Sequence, residues 1–274
     1  MTVFYKKYSG NLLIEPIIRT KEELFSTTVA REFKNGYSVI INANFYDITL
    51  EGGRDAYFGH DPVPAKETLP NGYIVFNKKK VLGKSDKNFY IAFDNTKMKA
   101  DGSGLLDAFS SGGGNPPTNV YAAFGGLGPL IINGLKYGNT NLYKEGAPKD
   151  APLTGDPGDK ARPYLIQKSA SIYSSFMKKD AEVEYRMGKA CIGVSKTHVY
   201  IYVQSHGHSP GASLTAIRNS LLKEGCKHAV FFDGSDSVLV YDSIGFVIGQ
   251  AEDKDETCVV GLGLKYTPKP AEKK

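Results

Sequence analysis

Residues 188–240 constrain this chain more than any other stretch. They read as two apolar strands (191–194 and 199–203), a polar turn, one capped helix (213–224) and a third apolar strand (229–232) that runs straight into Asp233-Gly-Ser-Asp-Ser237. Ser213 can cap the helix, Leu214, Ile217, Leu221 and Leu222 share one face, and Gly225 stands at its C′ position. Strand, helix and strand in that order predict a right-handed crossover with 199–203 and 229–232 parallel. The same geometry puts the helix start, with its positive dipole end, at the sheet edge where Asp233 emerges. A carboxylate leaving a buried strand into Gly234 sits where an apolar sheet meets a polar cleft. The bland reading is a turn former or cap.

Other runs of β-branched and aromatic residues fall at 12–18, 37–42, 72–76, 89–93, 120–124, 130–132, 237–241, 246–248 and 259–264, most of them bounded by Gly, Asn, Asp or Pro. With 30 Gly, 17 Tyr and 14 Phe in 274 residues, strands and tight turns are favoured over a helical bundle. A second helix is expected over 21–34, capped by Thr20, acidic in its first turn and stopped by Gly36. The expected fold class is α+β, a large mixed sheet with flanking helices. A hydrophobic fraction of 41% can build one sizeable core, so 1–264 reads as a single domain and the Pro-broken 265–274 as a disordered tail. Two Gly- and Pro-rich stretches, 103–119 and 138–163, are expected to rim the cleft.

A net charge of +5 suits a small anionic ligand. There is no basic stripe interleaved with aromatics, which argues against a nucleic-acid polymer, and Lys78-Lys-Lys80 fits a hairpin tip. No apolar run reaches membrane-spanning length, and no apolar stretch follows Lys6 and Lys7, so a cytoplasmic protein is expected as written. A removed leader would make it secreted or virion-associated. Cys191, Cys226 and Cys258 are odd in number and lack metal-ligand spacing, so they read as reduced core thiols. Oligomeric state is not legible.

Four clusters could carry chemistry. Asn42, Asn44 and Asp47 end a buried strand, where amides either form a turn or donate to a sugar or phosphate. Gly125-Gly126-Leu-Gly128 has neither Walker nor dinucleotide spacing, and reads as an anion nest or a tight corner. His206 and His208 lie two apart on an extended segment, suited to acid–base work or substrate contact before metal ligation. Asp233, Gly234, Ser235, Asp236 and Ser237, joined by Lys189 on an apolar strand, would make an anion-plus-carboxylate site.

In order along the chain, these pieces resemble the phosphodiester glycosidase family. That family shows Asn-Gly-Gly-Phe-Phe-Asp after an early strand, to which Asn42-Ala-Asn-Phe-Tyr-Asp47 is similar. Its Gly-Pro-Leu-Leu segment is echoed by Gly128-Pro-Leu-Ile-Ile-Asn-Gly134, its Arg-Thr-Ala-Ile-Gly by Lys189-Ala-Cys-Ile-Gly193, and its Leu-Asp-Gly-Gly-Gly-Ser by Phe232-Asp-Gly-Ser-Asp-Ser237. The resemblance spans about 37–264. It implies hydrolysis of the glycosidic bond of a sugar-1-phosphodiester, small-molecule or glycan, with no required cofactor. It places Asp233 as the working carboxylate, Lys189 on the phosphate, Asn42, Asn44 and Ser237 on sugar hydroxyls, and Asp47, His206 and His208 in support. Lys189 stands where the family has Arg, and Ala43, Asn44, Ser235 and Asp236 stand where it has Gly, which implies a reshaped pocket. Two alternatives stay open: a phosphodiesterase with a divalent cation on Asp233, Asp236 and His208, and a non-catalytic, phage-encoded module that sequesters an anionic sugar or nucleotide.

Overall fold

The computed structural model describes residues 2–20, 23–48, 68–85, 88–99, 101–137, 186–207, 211–250, 255 and 257–268. Among them the chain begins with β1 (Val3–Tyr8), β2 (Gly10–Ile18), helix α1 (Phe25–Phe33), β3 (Val39–Asn42), β4 (Tyr46–Ile48), β5 (Thr68–Pro70), β6 (Ile74–Phe76) and β7 (Lys79–Leu82). It continues through β8 (Phe89–Phe93), helix α2 (Leu105–Ala108), β9 (Phe109–Gly113), β10 (Ala122–Ile132) and β11 (Leu135–Lys136). The last third holds β12 (Lys189–Val194), β13 (Val199–Gln204), helix α3 (Leu214–Lys223), β14 (His228–Phe231), β15 (Val240–Asp242), β16 (Gly245–Ile248) and β17 (Val260–Pro268). No helix among the described residues is long and apolar enough to cross a membrane.

The strands form a larger sheet of order β1-β13-β12-β14-β10-β6-β7, with β8, β9 and β11 attached, a smaller sheet of order β16-β15-β3-β17-β2, and a β4–β5 ribbon. Alternate side chains assign the layers. Val39 and Ile41 of β3 join Ile192 and Val230 of the larger sheet in one core, while Ile40 turns away toward Phe25 and Val29 of α1. Ala229 and Phe231 of β14 face Leu214, Ile217 and Leu221 of α3 on the opposite surface. The fold is therefore α+β and dominated by sheet: α1, smaller sheet, larger sheet, α3. The central strands β3, β12 and β14 are buried on both faces, which is why they read as continuous apolar runs rather than alternating ones.

The expected mixed sheet is corrected in one respect. The named strands pair antiparallel throughout the described residues. β13 and β14 do run parallel, as the crossover requires, but they are not neighbours. The tight turn in which Ser195 N–H donates to the His198 carbonyl (2.9 Å) folds β12 back beside β13, and β12 then fills the slot between β13 and β14. Helix α1 is shorter than expected and starts after Leu24 without a side-chain cap of its own. Its cap comes from far along the chain: the Asp255 carboxylate takes the Ser26 N–H (2.6 Å) and the Ser26 hydroxyl. The chain beyond Leu264 is not a free tail at its outset, because β17 runs on to Pro268, pairing Lys265 with Leu13 and Tyr266 with Leu12. Residues 103–119 hold α2 and β9 rather than a bare loop, and Ser111 of β9 bonds the buried His228 at 2.8 Å, away from any rim. Residues 138–163 and 269–274 lie outside the described residues. All three cysteines are free and buried.

Strand β10 is the spine of the larger sheet, buried along its eleven residues. The glycine corner expected at 125–128 is a kink inside this single strand. Ala122–Phe124 pair with β6 and β8, whereas Gly128 and Pro129 pair with β14. At the kink Gly126 adopts φ +69°, and a Cβ there would lie 1.9 Å from the Asn71 carbonyl oxygen. A Cβ on Gly128 would lie 2.0 Å from the Phe231 ring. Phe231 is fully buried, so Gly128→Ala is expected to destabilise the fold by about 2–3 kcal/mol. Gly249→Ala, which meets nothing within 4 Å, should stay within about 0.5 kcal/mol of wild type. Urea unfolding midpoints at unchanged slope check this, and equal midpoints for the two variants would refute the packing account.

The sheets are also clasped by Glu15 of β2. Its carboxylate accepts hydrogen bonds from the Tyr37 and Tyr121 hydroxyls (2.5 Å each) and pairs with Lys265 Nζ at 2.7 Å. Burial alone would raise this carboxyl, but bonds from Lys265, Tyr121 and Tyr37 hold it below the usual range. A depressed folded-state value means that the stabilisation is present above about pH 4.5 and is lost as pH falls through that folded value. Melting curves from pH 7 to pH 3 should therefore show wild type losing stability more steeply than Glu15→Gln below pH 4.5. Parallel curves would remove Glu15 from the acid response.

Candidate active site

The site is built on one cross-strand row of the larger sheet. Lys189 opens β12 and pairs with Gln204, the last residue of β13. Cys191 pairs with Phe231, and the Phe232 N–H donates to the Ala190 carbonyl at 2.8 Å, so the ladder continued by one step sets Asp233 opposite Lys189. Directly opposed residues share a face, and this is the face that α3 packs on. Gly126 lies two residues from Gly128, the partner of Phe231, on the side toward Asp233. The start of α3 is held to the same edge: the Ala212 N–H donates to Gln204 Oε1 (3.0 Å), and Ser213 Oγ caps the helix by accepting from the Ala216 N–H (3.1 Å). The capped helix start, Lys189 and the exit of β14 at Asp233 thus lie at one edge of the larger sheet.

Lys189 is 1% exposed, and its ammonium donates to the Met187 carbonyl at 3.2 Å. Asp233 is half-buried, with Oδ1 accepting from the Gly234 N–H at 3.0 Å. Gly234 then leads into a 3₁₀ turn, Ser235–Ser237, closed by Ser237 N–H donating to the Gly234 carbonyl (3.1 Å), and Ser237 is buried. Asp236 is half-buried on that turn.

The two asparagines differ from their expected use. Asn42 is fully buried; its Nδ2 donates to the Asp233 carbonyl (2.8 Å) and its Oδ1 accepts from the Leu239 N–H (3.0 Å). It clamps both ends of the segment that carries Asp233, so its amide serves the chain and not a sugar. Asn44 Nδ2 donates to the carbonyls of Asn71 (3.3 Å) and Gly125, while its buried Oδ1 has no hydrogen-bond partner among the described residues. Gly126 and Gly128 are packing positions, since the Asn71 carbonyl and the Phe231 ring occupy the space where side chains would be.

His206 is exposed, and its Nδ1 accepts from the N–H of Gly188, the residue before Lys189, at 3.4 Å. His208 lies outside the described residues. The backbone of Asp47 pairs with Leu69 in the β4–β5 ribbon; its side chain, like that of Ser235, lies outside the description. Among the described residues no group of three or more His, Cys, Asp and Glu is placed to hold a metal ion. Sequence reading missed Gln204. Its signal was a lone amide closing the apolar run Val199-Tyr-Ile-Tyr-Val203, where a polar side chain needs partners.

Comparison with known proteins adds little to this geometry. No family profile matches the chain, and no curated protein does. Among solved structures, similarity is found to a protein described as exported from Burkholderia pseudomallei (12% identity, TM-score 0.48, covering 92% of this chain and 71% of that one). A hypothetical protein from Synechocystis shows 12% identity and a TM-score of 0.39, covering 97% of this chain and 59% of that one. The zebrafish N-acetylglucosamine-1-phosphodiester alpha-N-acetylglucosaminidase catalytic domain, auto-inhibited by its pro-peptide, shows 11% identity and a TM-score of 0.42, covering 96% of this chain and 88% of that one. At TM-scores below 0.5 these are loose likenesses of chain path, and no residue role passes from them to this protein.

Proposed function

We propose that this chain is a hydrolase that cleaves the glycosidic bond of a sugar-1-phosphodiester. The observation that carries the reading is the placement of Asp233 opposite Lys189, on a segment held at both ends by Asn42. It is supported by the sequence segments that resemble the phosphodiester glycosidase family. Residues 189–193, 232–237 and the start of 128–134 belong to the neighbouring strands β12, β14 and β10 or their ends, and 42–47 follows the β3 clamp.

The chemistry fits these groups. The leaving group is a phosphate monoester anion, so the reaction needs stabilisation of charge more than a strong general acid. Water attacks the anomeric carbon, the bond from that carbon to the phosphate oxygen breaks, and the electron pair leaves with the phosphate. The Asp233 carboxylate offsets the positive charge that builds on the sugar and takes the proton of the attacking water. Lys189 and the positive end of α3 hold the phosphate, in surroundings dry enough for a single charge to act strongly. The buried Oδ1 of Asn44 is the acceptor for a sugar hydroxyl. Exposed His206, beside Gly188, passes the proton to solvent.

Asp233→Asn should fold and lose more than about 90% of kcat/KM for any sugar-1-phosphodiester that wild type turns over, a loss above about 1.4 kcal/mol. A folded variant that kept more would remove Asp233 from the chemistry. With oxygen-18 water the label should appear in the sugar. Label in the phosphate would mean attack at phosphorus and favour a phosphodiesterase instead.

Lys189→Met should raise KM or Kd for the phosphodiester at least about tenfold while changing affinity for the free sugar by less than about twofold. Equal effects on both ligands would end the phosphate role.

A further inference from the structure

We propose that Gln204 is the positioning residue of this anion site, fixing the Lys189 ammonium and the start of α3 in one frame. The inference rests on the reading of Lys189 as a phosphate contact. Gln204 is fully buried at the end of β13, directly across the ladder from Lys189. Its amide is used on both sides. Oε1 accepts from the Tyr202 hydroxyl (2.7 Å) and from the Ala212 N–H just before α3 (3.0 Å). Nε2 donates to the Met187 carbonyl at 2.6 Å, and that same carbonyl accepts from Lys189 Nζ at 3.2 Å.

A carbonyl oxygen has two lone pairs, and here one is given to each donor. The sharing matters because the two donors differ. Lysine carries its charge on a flexible four-carbon stem and keeps a fixed position only when its acceptors are fixed. Met187 lies in the segment before β12, and the Gln204 amide ties its carbonyl to the end of β13. The other end of the same amide holds the backbone that leads into α3. One planar group therefore sets the distance between the lysine charge and the helix start.

Packing does not ask for an amide here. The preceding residues Tyr200 and Tyr202 on the same face pack with the apolar cluster under α3. A buried amide adds nothing to such a cluster and costs free energy unless its hydrogen bonds are made. An apolar side chain of the same length would fill the space, but it would leave the Ala212 N–H and the Met187 carbonyl each short of a partner.

The test is a double-mutant cycle on phosphate binding, with inorganic phosphate titrated calorimetrically into full-length wild type, Gln204→Leu, Lys189→Met and the double variant. Gln204→Leu should weaken phosphate binding by about tenfold in wild type and by a smaller factor, about threefold, in the Lys189→Met background, where only the helix start is left for it to position. That non-additivity separates positioning of Lys189 from a general structural role, which would weaken both backgrounds alike. Equal losses in the two backgrounds, or no loss in wild type, would overturn the role of Gln204 while leaving Lys189 in place. Lys189→Met that binds phosphate as wild type does would instead overturn the reading of Lys189, and Gln204 would fall with it. If Gln204→Leu does not fold, Gln204→Glu takes its place in the cycle. It keeps an acceptor for Tyr202 and Ala212 but loses the donor to Met187, and wild-type phosphate affinity in that variant would likewise overturn the proposal.

Discussion

Everything in the larger sheet depends on how closely two backbones pass at Gly126. The chain at Asn71 and Gly72 crosses β10 with no side chain between. A Cβ on Gly72 would lie 2.1 Å from the Gly126 nitrogen, and one on Gly126 would lie 1.9 Å from the Asn71 oxygen. This contact lets β10 bend and exchange β6 before the kink for β14 after it, while β8 pairs on both sides, at Ala122–Phe124 and again at Leu127. Without the bend the strand would carry one set of neighbours along its length. The exit of β14 at Asp233 would then not fall beside the glycine kink of β10. A steric requirement therefore fixes where the polar residues can gather.

The second constraint is the Asn42 amide. It spans from the smaller sheet to the segment leaving β14, and bonds that segment at Asp233 and again at Leu239. A 3₁₀ turn with serines and a carboxylate has little apolar surface with which to order itself. Two hydrogen bonds from one fully buried amide supply that order, and each is worth more in the core than it would be in water. Asn44, two residues on, does the same for the kink through Asn71 and Gly125. The two amides thus tie the segment that carries the candidate carboxylate to β3 and the stretch after β3 to the β10 kink.

Local signals were legible in the sequence and long-range ones were not. Helix α3 was readable because its Ser213 cap, apolar face and Gly225 stop all lie within one short window. Helix α1 was overextended because its true cap, Asp255, comes from far along the chain and no local pattern announces it. The Gly125–Gly128 run was read as a corner between two strands because glycine marks kinks and turns alike, and only the crossing chain at Asn71 tells them apart. β12 slips between β13 and β14 because of a pairing choice that apolar runs do not encode. At the site, Lys189 and Asp233 stood out because charge in an apolar strand is conspicuous. Gln204 was passed over as an ordinary strand end, and Asn42 was assigned to a ligand because an amide looks the same from sequence whether it serves backbone or sugar.

One comparison within the sheet bears on whether the polar row is architecture or function. Two residues along from it, on the same face, the ladder reads Tyr5, Tyr202, Cys191, Phe231 and Gly128 across five strands, with no formal charge. Its Tyr202, Cys191 and Phe231 pack in the apolar cluster with α3, and the same strands would have been served equally well by more of their kind. The row that continues it instead places Gln204, Lys189 and Asp233 side by side, including a cation that is 1% exposed. Burying such a charge costs free energy even when it is paired, and an apolar replacement of similar volume is often neutral or stabilising. The sheet therefore carries these groups at a cost that its own packing does not require. They are also concentrated where a strand, a helix start and a clamped turn converge. That placement is what the proposed phosphate contact of Lys189 would require.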